Sequence, residues 1–429
     1  MPDEPHSSIG IVGGGQLALM LAEAAAAIGV DLHVQTASDQ DPAVRVATGH
    51  VEAPVDAVEG TRLLAQRCGA ISFENEWVPR ERLAPLAAEG VRFVPELAAL
   101  EPLLSKRGQR QLLDQLHLPC PRWCGLEQAL VPRQPELDPE ADELTAISAS
   151  PLWHGGAPYR PPEIPERPLL PEGFQFPLMA KASRGGYDGR GTHLLVDQAA
   201  LEALIASVTP AEWILEELVA FERELALVAC RDREGNVVCY PLVETHQHHQ
   251  VCDWVLMPAP VPHAVQAFAR NVGASLLTAL DYVGVLAVEF FYGPAGLLVN
   301  EIAPRTHNSG HLTIEACRCS QFSQQVRLVA GLPLGSPEPV VPGALMVNLL
   351  GLGEDDSPAT RDQRLEALAA LPGAHLHWYG KQGAAAGRKL GHLTLVLAGA
   401  TAEEREAERQ RLLAEVRRLW PLPEAPENG

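Results

Sequence analysis

Short apolar runs alternate with Ala/Leu-rich stretches through the first hundred residues. Residues 9–12 (Ile-Gly-Ile-Val) read as a buried strand and Gly13-Gly14-Gly15 as a tight turn. Residues 16–28 read as a helix ended by Gly29, and 30–35, 70–73 and 91–94 as further strands. Strands separated by helices predict a parallel sheet. A helical segment follows at 105–116. Apolar runs at 176–182 and 213–218 predict strands, and 224–230 and 237–242 predict a pair around the turn 232–236. A helix is expected over 261–280, then two strands, 283–291 and 297–302, paired around 293–296. Residues 313–330 read as one helix, broken by Gly331-Leu332-Pro333. Runs at 343–350, 375–379 and 392–397 suggest a small β-rich domain, closed by an amphipathic charged helix over 401–419.

The stretch from about 131 to 173 breaks this pattern with Pro161-Pro162, Pro165, Pro168 and Pro171. Loops of that length are either functional or disordered, and the composition favours disorder.

A chain of 429 residues exceeds one ordinary core and suggests about two to four domains. Hydrophobic content of 46% marks a globular protein. A formal net charge of −21 argues against general binding of nucleic acid or an anionic membrane, so local basic residues must do any phosphate recognition. The first eight residues are polar and acidic, and no apolar run approaches the roughly 20 residues that span a bilayer. The eight cysteines are scattered; neither Cys120/Cys124 nor Cys317/Cys319 makes a doubled zinc pattern, and free thiols in the cytoplasm are expected.

The densest chemistry lies at 300–311. Glu289 and Glu301, on adjacent predicted strands, can hold a hard divalent cation such as Mg²⁺, which takes one or two carboxylates plus substrate phosphates. Arg305, His307, Asn308, Ser309 and His311 follow at once, a polar cluster suited to an anionic substrate.

Other motifs are weaker alone. Gly13-Gly14-Gly15-Gln16-Leu17-Ala18 fits G-x-G-x-x-A, the pattern of a dinucleotide-binding turn with Asp39 as ribose acid, but nothing downstream resembles a hydride-transfer site. Glu74 and Glu76 sit at a strand's C-terminal edge, where ligands bind in open α/β sheets and where solvated loop acids also occur. The run from Lys181 through Gly185, Gly186, Tyr187, Asp188 and Gly189 to Gly191 suits a glycine-rich lid over polyphosphate, though it is not a P-loop. Glu216 and Glu217 end an apolar strand before Val219, with Glu224 beyond. His246, His248 and His249 suggest a metal, but adjacent strand residues point to opposite faces and do not converge. Lys381 and the pair Arg388-Lys389 combine a point charge with a fork, as a phosphate clamp requires, or form a plain basic loop.

Together these motifs resemble the ATP-grasp enzymes, and within them the N5-carboxyaminoimidazole ribonucleotide synthetases of purine biosynthesis. The resemblance implies a multidomain α/β and α+β protein. Its parts would be a biotin-carboxylase-like parallel-sheet domain over 1–104, an ATP-grasp domain over 105–335 and a small β-rich domain over 336–429. It implies an ATP-dependent ligase that joins bicarbonate to 5-aminoimidazole ribonucleotide through carboxyphosphate, in a cytoplasmic homodimer. Lys106, Lys181, Gly186, Tyr187, Asp188, Gly189, Glu216, Glu217, Val219 and Glu224 would hold ATP, and Glu289 and Glu301 the Mg²⁺. Gly15, Gln16, Leu17, Glu74, Glu76, Lys381, Arg388 and Lys389 would hold the ribonucleotide, and Arg305, His307, Asn308 and Ser309 the bicarbonate. Two departures stand out: Ser183 replaces the usual Arg of the glycine-rich loop, with Arg184 one place later, and an Asn-x-His pattern near 246 is not kept. Another ATP-grasp ligase with a different acyl donor, a dinucleotide-dependent oxidoreductase and a silent nucleotide-binding protein are the competing readings.

Overall fold

The computed structural model describes residues 6–130, 170–185, 191–353 and 357–423. The proline-rich stretch at 131–173 therefore lies, but for its last four residues, outside the described residues, as do Gly186, Tyr187, Asp188 and Gly189. The chain divides into a larger unit, chiefly Met1–Pro121 and Val219–Gly429, and a smaller one of Arg122–Gly186 and Gly191–Leu218.

The larger unit begins with β1 (Ser8–Val12), α1 (Gln16–Ala27), β2 (Asp31–Thr36), β3 (Gly49–Glu52), α2 (Val58–Ala65) and β4 (Ala70–Phe73). The strands form the expected parallel sheet, in the order β3-β2-β1-β4. Ile9 and Ile11 of β1 are wholly buried, which is why this strand reads as continuous apolar sequence. Residues 91–94 do not form the expected strand: Phe93 makes only an isolated parallel bridge to Ile71. Pro95, next in line, has no N–H to extend the ladder. Helices α3 (Arg80–Ala88), α4 (Leu97–Leu100) and α5 (Lys106–Gln115) follow, α5 being capped by Ser105, whose side chain accepts from the Gly108 amide.

The smaller unit is an antiparallel sheet of β5 (Trp123–Gly125), β6 (Leu178–Ala182), β7 (Thr192–Leu195) and β8 (Trp213–Glu217), ordered β5-β8-β6-β7. Helix α6 (Gln198–Ser207) buries Leu201 and Leu204 in its core.

The rest of the larger unit contains β9 (Arg223–Arg231), β10 (Val237–Cys239), β11 (Val243–His248), β12 (Val251–Met257), α7 (His263–Ala279), β13 (Gly284–Gly293) and β14 (Gly296–Ala303). Then come α8 (Thr313–Ala316), α9 (Gln321–Val329), β15 (Gly343–Leu350), α10 (Pro358–Ala369), β16 (Ala374–Trp378), β17 (Lys389–Leu397) and α11 (Ala402–Leu419). The strands form one nine-stranded sheet, ordered β14-β13-β9-β11-β12-β15-β17-β16 with β10 beside β9. The C-terminal strands are thus joined to the central ones, with Trp254 to Met257 of β12 paired to Val347 to Ala344 of β15. The single helix expected over 313–330 is two helices. Cys317 turns extended and bridges to Pro339, and Ser320 caps a fresh start by accepting from the Ser323 amide.

Candidate active site

The β13–β14 hairpin sets Glu289 and Glu301 directly opposite each other in register. Glu289 is pushed up to about 7, first by burial and then by the like charges of Glu301 and Glu224. Glu224 lies on β9 opposite Phe291, two residues along the strand from Ala226, the partner of Glu289. Side chains two apart share a face, so Glu224 neighbours Glu289 diagonally, and burial lifts it to about 7 as well. Lys106, in the first turn of α5, reaches Glu301 at 2.7 Å.

The polar run after β14 is fixed by contacts distant in sequence. Arg305 grips Glu76 with two bonds, Nε at 2.5 Å and Nη2 at 3.3 Å. Burial pushes Glu76 up, but Arg305 more than offsets this and holds it below the usual carboxylate range. The Ser309 amide lies 3.3 Å from His307 Nδ1, which accepts from it, and the Ser309 hydroxyl lies 2.9 Å away. The proton of His307 therefore sits on Nε2, 3.4 Å from Glu289. Burial, then Arg305 and Lys389, lower His307 to about 3, so a neutral ring rather than an imidazolium faces Glu289. Asn308 exchanges two amide hydrogen bonds, 2.7 and 3.0 Å, with Asn348 of β15, which occupies both ends of its side chain.

At the carboxyl edge of the parallel sheet, Glu74 turns inward. Its carboxylate accepts from the amides of Gly15 (2.8 Å), Leu17 (3.1 Å) and Ala18 (3.3 Å). The amides at the α1 N-terminus are thus taken by a carboxylate of the chain itself, where the glycine motif had suggested a ligand anion. Gly13, at φ 133°, makes this possible: a Cβ there would lie 2.4 Å from the Glu74 side chain. The Gln16 side chain accepts from Lys381, which also donates to the Lys389 carbonyl at 2.8 Å and stands over the Tyr379 ring at 5.4 Å. Arg388 is turned to the Gln382 carbonyl at 2.5 Å.

In the smaller unit, Lys181 on β6 pairs with Glu216 on β8 at 2.7 Å, with side chains only 12% and 2% exposed. Ser183 donates its amide to the Glu212 carbonyl at 2.7 Å, and Glu217 lies 3.8 Å from Arg122. Val219 belongs to the larger unit and is half-buried. The histidines near 246 do not converge. His246 stacks on Trp254 at 5.1 Å, while His248 and His249 meet edge-on at a turn. Among the described residues no group of three or more His, Cys, Asp or Glu is placed to cage a metal.

Known families match in three segments. Residues 6–102 match the ribonucleotide synthetase preATP-grasp domain, 167–322 the ATP-grasp domain, and 344–408 the phosphoribosylaminoimidazole carboxylase C-terminal domain. The N5-carboxyaminoimidazole ribonucleotide synthase of Synechococcus elongatus is 44% identical over 420 residues, covering 98% of this chain and 97% of that protein. The chain belongs to the N5-carboxyaminoimidazole ribonucleotide synthase family. Crystal structures of family members agree. The Thermus thermophilus enzyme superposes with a TM-score of 0.75 at 33% identity, covering 98% of this chain and 100% of that one. The Aspergillus clavatus synthase, solved with ADP and 5-aminoimidazole ribonucleotide, gives 0.77 at 28%, covering 97% and 100%. The expected fold class, a parallel-sheet domain with an ATP-grasp domain and a C-terminal domain, is therefore that of this chain.

Three residues that the sequence pattern does not single out support this candidate site. Asn348 holds Asn308. Gln321 accepts from the His307 amide at 2.9 Å and donates to the His307 carbonyl at 2.6 Å. Arg45 donates to the Tyr379 carbonyl at 2.7 Å, beside Lys381. A buried glutamine at a helix start was the available signal for Gln321; the other two act across distances that local sequence does not encode.

Proposed function

We propose that this chain carboxylates 5-aminoimidazole ribonucleotide with bicarbonate, converting ATP to ADP and phosphate, as a ligase of purine biosynthesis. The observation that carries the reading is family membership along nearly the whole chain, joined to the facing pair Glu289 and Glu301 beside Lys106 and His307. The Aspergillus relative with ADP and 5-aminoimidazole ribonucleotide supports both the nucleotide and the acceptor.

Two facing carboxylates, one pushed up to about 7 by burial and then by like charges, fit a hard divalent cation that takes its other ligands from phosphate and water. Glu289 and Glu301 would hold Mg²⁺, which would supply positive charge against the phosphates of the nucleotide. Lys106 adds a cation at Glu301. Lys181, Glu216, Glu217 and Val219 are assigned to the nucleotide, as is Glu224, although its place beside Glu289 also suits an acid of the metal region.

Bicarbonate is a poor electrophile, so it is first phosphorylated to carboxyphosphate. Arg305, fixed by Glu76, presents a rigid guanidinium to it, and neutral His307 keeps a donor on Nε2 beside Glu289. Ser309 orients that ring, and Asn308 ties the run to β15. Lys381, Arg388 and Lys389 take the ribonucleotide phosphate, with Gln16 setting the direction of Lys381. Gly15, Leu17, Glu74 and Glu76 shape the wall against which the amine is placed. Catalysis is then chiefly positioning and electrostatics. Free thiols at all eight cysteines support the assignment to the cytoplasm, and the family resemblance alone supports the homodimer.

The test is ADP release with ATP and Mg²⁺, with and without the ribonucleotide and bicarbonate. Release requiring both is expected. Release independent of the ribonucleotide would mean carboxyphosphate lost to water or another acceptor, and none under any combination would leave a silent nucleotide-binding protein.

A further inference from the structure

Four buried polar atoms in one region find no partner among the described residues: His311 Nε2, His392 Nε2, Glu315 Oε2 and Thr394 Oγ1. The sheet explains their proximity. Asn348 of β15, His392 of β17 and His377 of β16 stand opposite one another, forming a polar row across three strands. Thr394, two residues along β17, lies on the same face. Helix α8 covers this face, and its Glu315 meets His377 Nε2 at 2.6 Å. The His377 ring stacks on His392 at 4.4 Å, and the His311 ring stands 4.9 Å from His392 at 45°. The Tyr379 hydroxyl lies 2.9 Å from His392 Nδ1.

The proton on His311 can be placed. Gln321 Oε1 accepts from the His307 amide, so its Nε2 is the donor end. That nitrogen donates to the His307 carbonyl at 2.6 Å and to His311 Nδ1 at 3.3 Å. His311 Nδ1 therefore accepts, and the single ring proton sits on Nε2, aimed into the cluster without an acceptor. A buried donor left unmade costs about 1–3 kcal/mol, and several together demand an occupant. Internal waters typically make about three hydrogen bonds to such groups. A metal cation does not fit, because His311 Nε2 presents a proton.

We infer that internal water bridges His311 and His392, and that this water-centred network is a positioning device for Lys381. It ties the 307–311 run to Tyr379, and Tyr379 lies under the Lys381 ammonium, which is held against Gln16. The role given to Lys381 rests on the proposed function; the water does not.

Two measurements test this. A high-resolution crystal structure of the unaltered protein should show water within hydrogen-bond distance of both Nε2 atoms. A dry contact, or a direct bond between the two rings, would overturn the inference whatever the protein catalyses. For the positioning role, His392→Leu should raise KM for 5-aminoimidazole ribonucleotide about tenfold or more, leaving kcat and KM for ATP within about threefold. His392→Gln, which keeps polar atoms, should restore most of the loss. Equal damage to every substrate together with a lowered Tm, or no rescue by Gln, would make His392 a packing residue only. An unaltered enzyme that ignores the ribonucleotide would instead sink the proposed function.

Discussion

Glu76→Gln removes one charge from a pair that joins two distant parts of the larger unit, the loop after β4 and the run after β14. The partners are 24% and 20% exposed, and the pair is forked. Breaking a fully buried pair by removing one partner costs about 3–5 kcal/mol; the residual solvent contact reduces this to about 2–3 kcal/mol. Gln keeps one acceptor, so volume and one hydrogen bond survive while the charge on Arg305 is left unmatched. Urea unfolding of Glu76→Gln, Arg305→Met and the double variant forms the cycle that isolates the pair. The expected coupling is about 2 kcal/mol, with the double variant more stable than the two single losses would add up to. Turnover should fall about a hundredfold in Glu76→Gln, because an untethered guanidinium shifts by an ångström or more from where bicarbonate needs it. A coupling below about 0.5 kcal/mol, or turnover near that of the unaltered protein, would refute the view that Glu76 holds Arg305 in working position.

Glu301→Ala should lower kcat by about two orders of magnitude or more, checked by ADP release across a Mg²⁺ titration; turnover near the original value would remove the metal assignment. Lys181→Met removes the ammonium 2.7 Å from the buried Glu216, so it should raise KM for ATP and destabilise the smaller unit by about 3 kcal/mol, read by hydrogen exchange in β6 and β8. Unchanged exchange in those strands would show that the pair is not structural. Burial holds His392 well below the usual histidine range, so the folded protein refuses a proton that the unfolded chain takes up below about 6.5. Its contribution to stability is whole above that pH and drains away as pH falls. The His392→Gln variant should therefore lose less stability on acidification, by about 1.4 kcal/mol per pH unit, and parallel urea profiles for the two proteins would contradict this.

What the sequence made legible is what local pattern controls. The triple glycine, the Ala/Leu helix behind it and the hairpin carrying Glu289 and Glu301 each announce themselves within a dozen residues. The split between α8 and α9 was hidden because 313–330 contains neither Gly nor Pro; the break comes from Cys317 bridging to Pro339, a tertiary contact. Glu74 was legible as an acid at a strand end, but not as the cap of a helix that begins far upstream. Asn308 was legible as polar and near the site, but its amide is spent on Asn348, forty positions on. Residue identity thus pointed to the candidate site, while long-range pairing decides which of its polar groups hold the frame.

The pairing of β12 with β15 bears on how the protein is made. The edge of β12 at Trp254, Val255, Leu256 and Met257 is paired to β15 only once residues 344–347 arrive, and residues 258–343 must leave the ribosome first. At cellular synthesis rates that is a delay on the order of ten seconds. Through that interval the nascent chain carries an apolar strand with one edge unpaired, a template for joining another chain. Translation speed across this stretch, and chaperones that cover such an edge, therefore help set the yield of native protein.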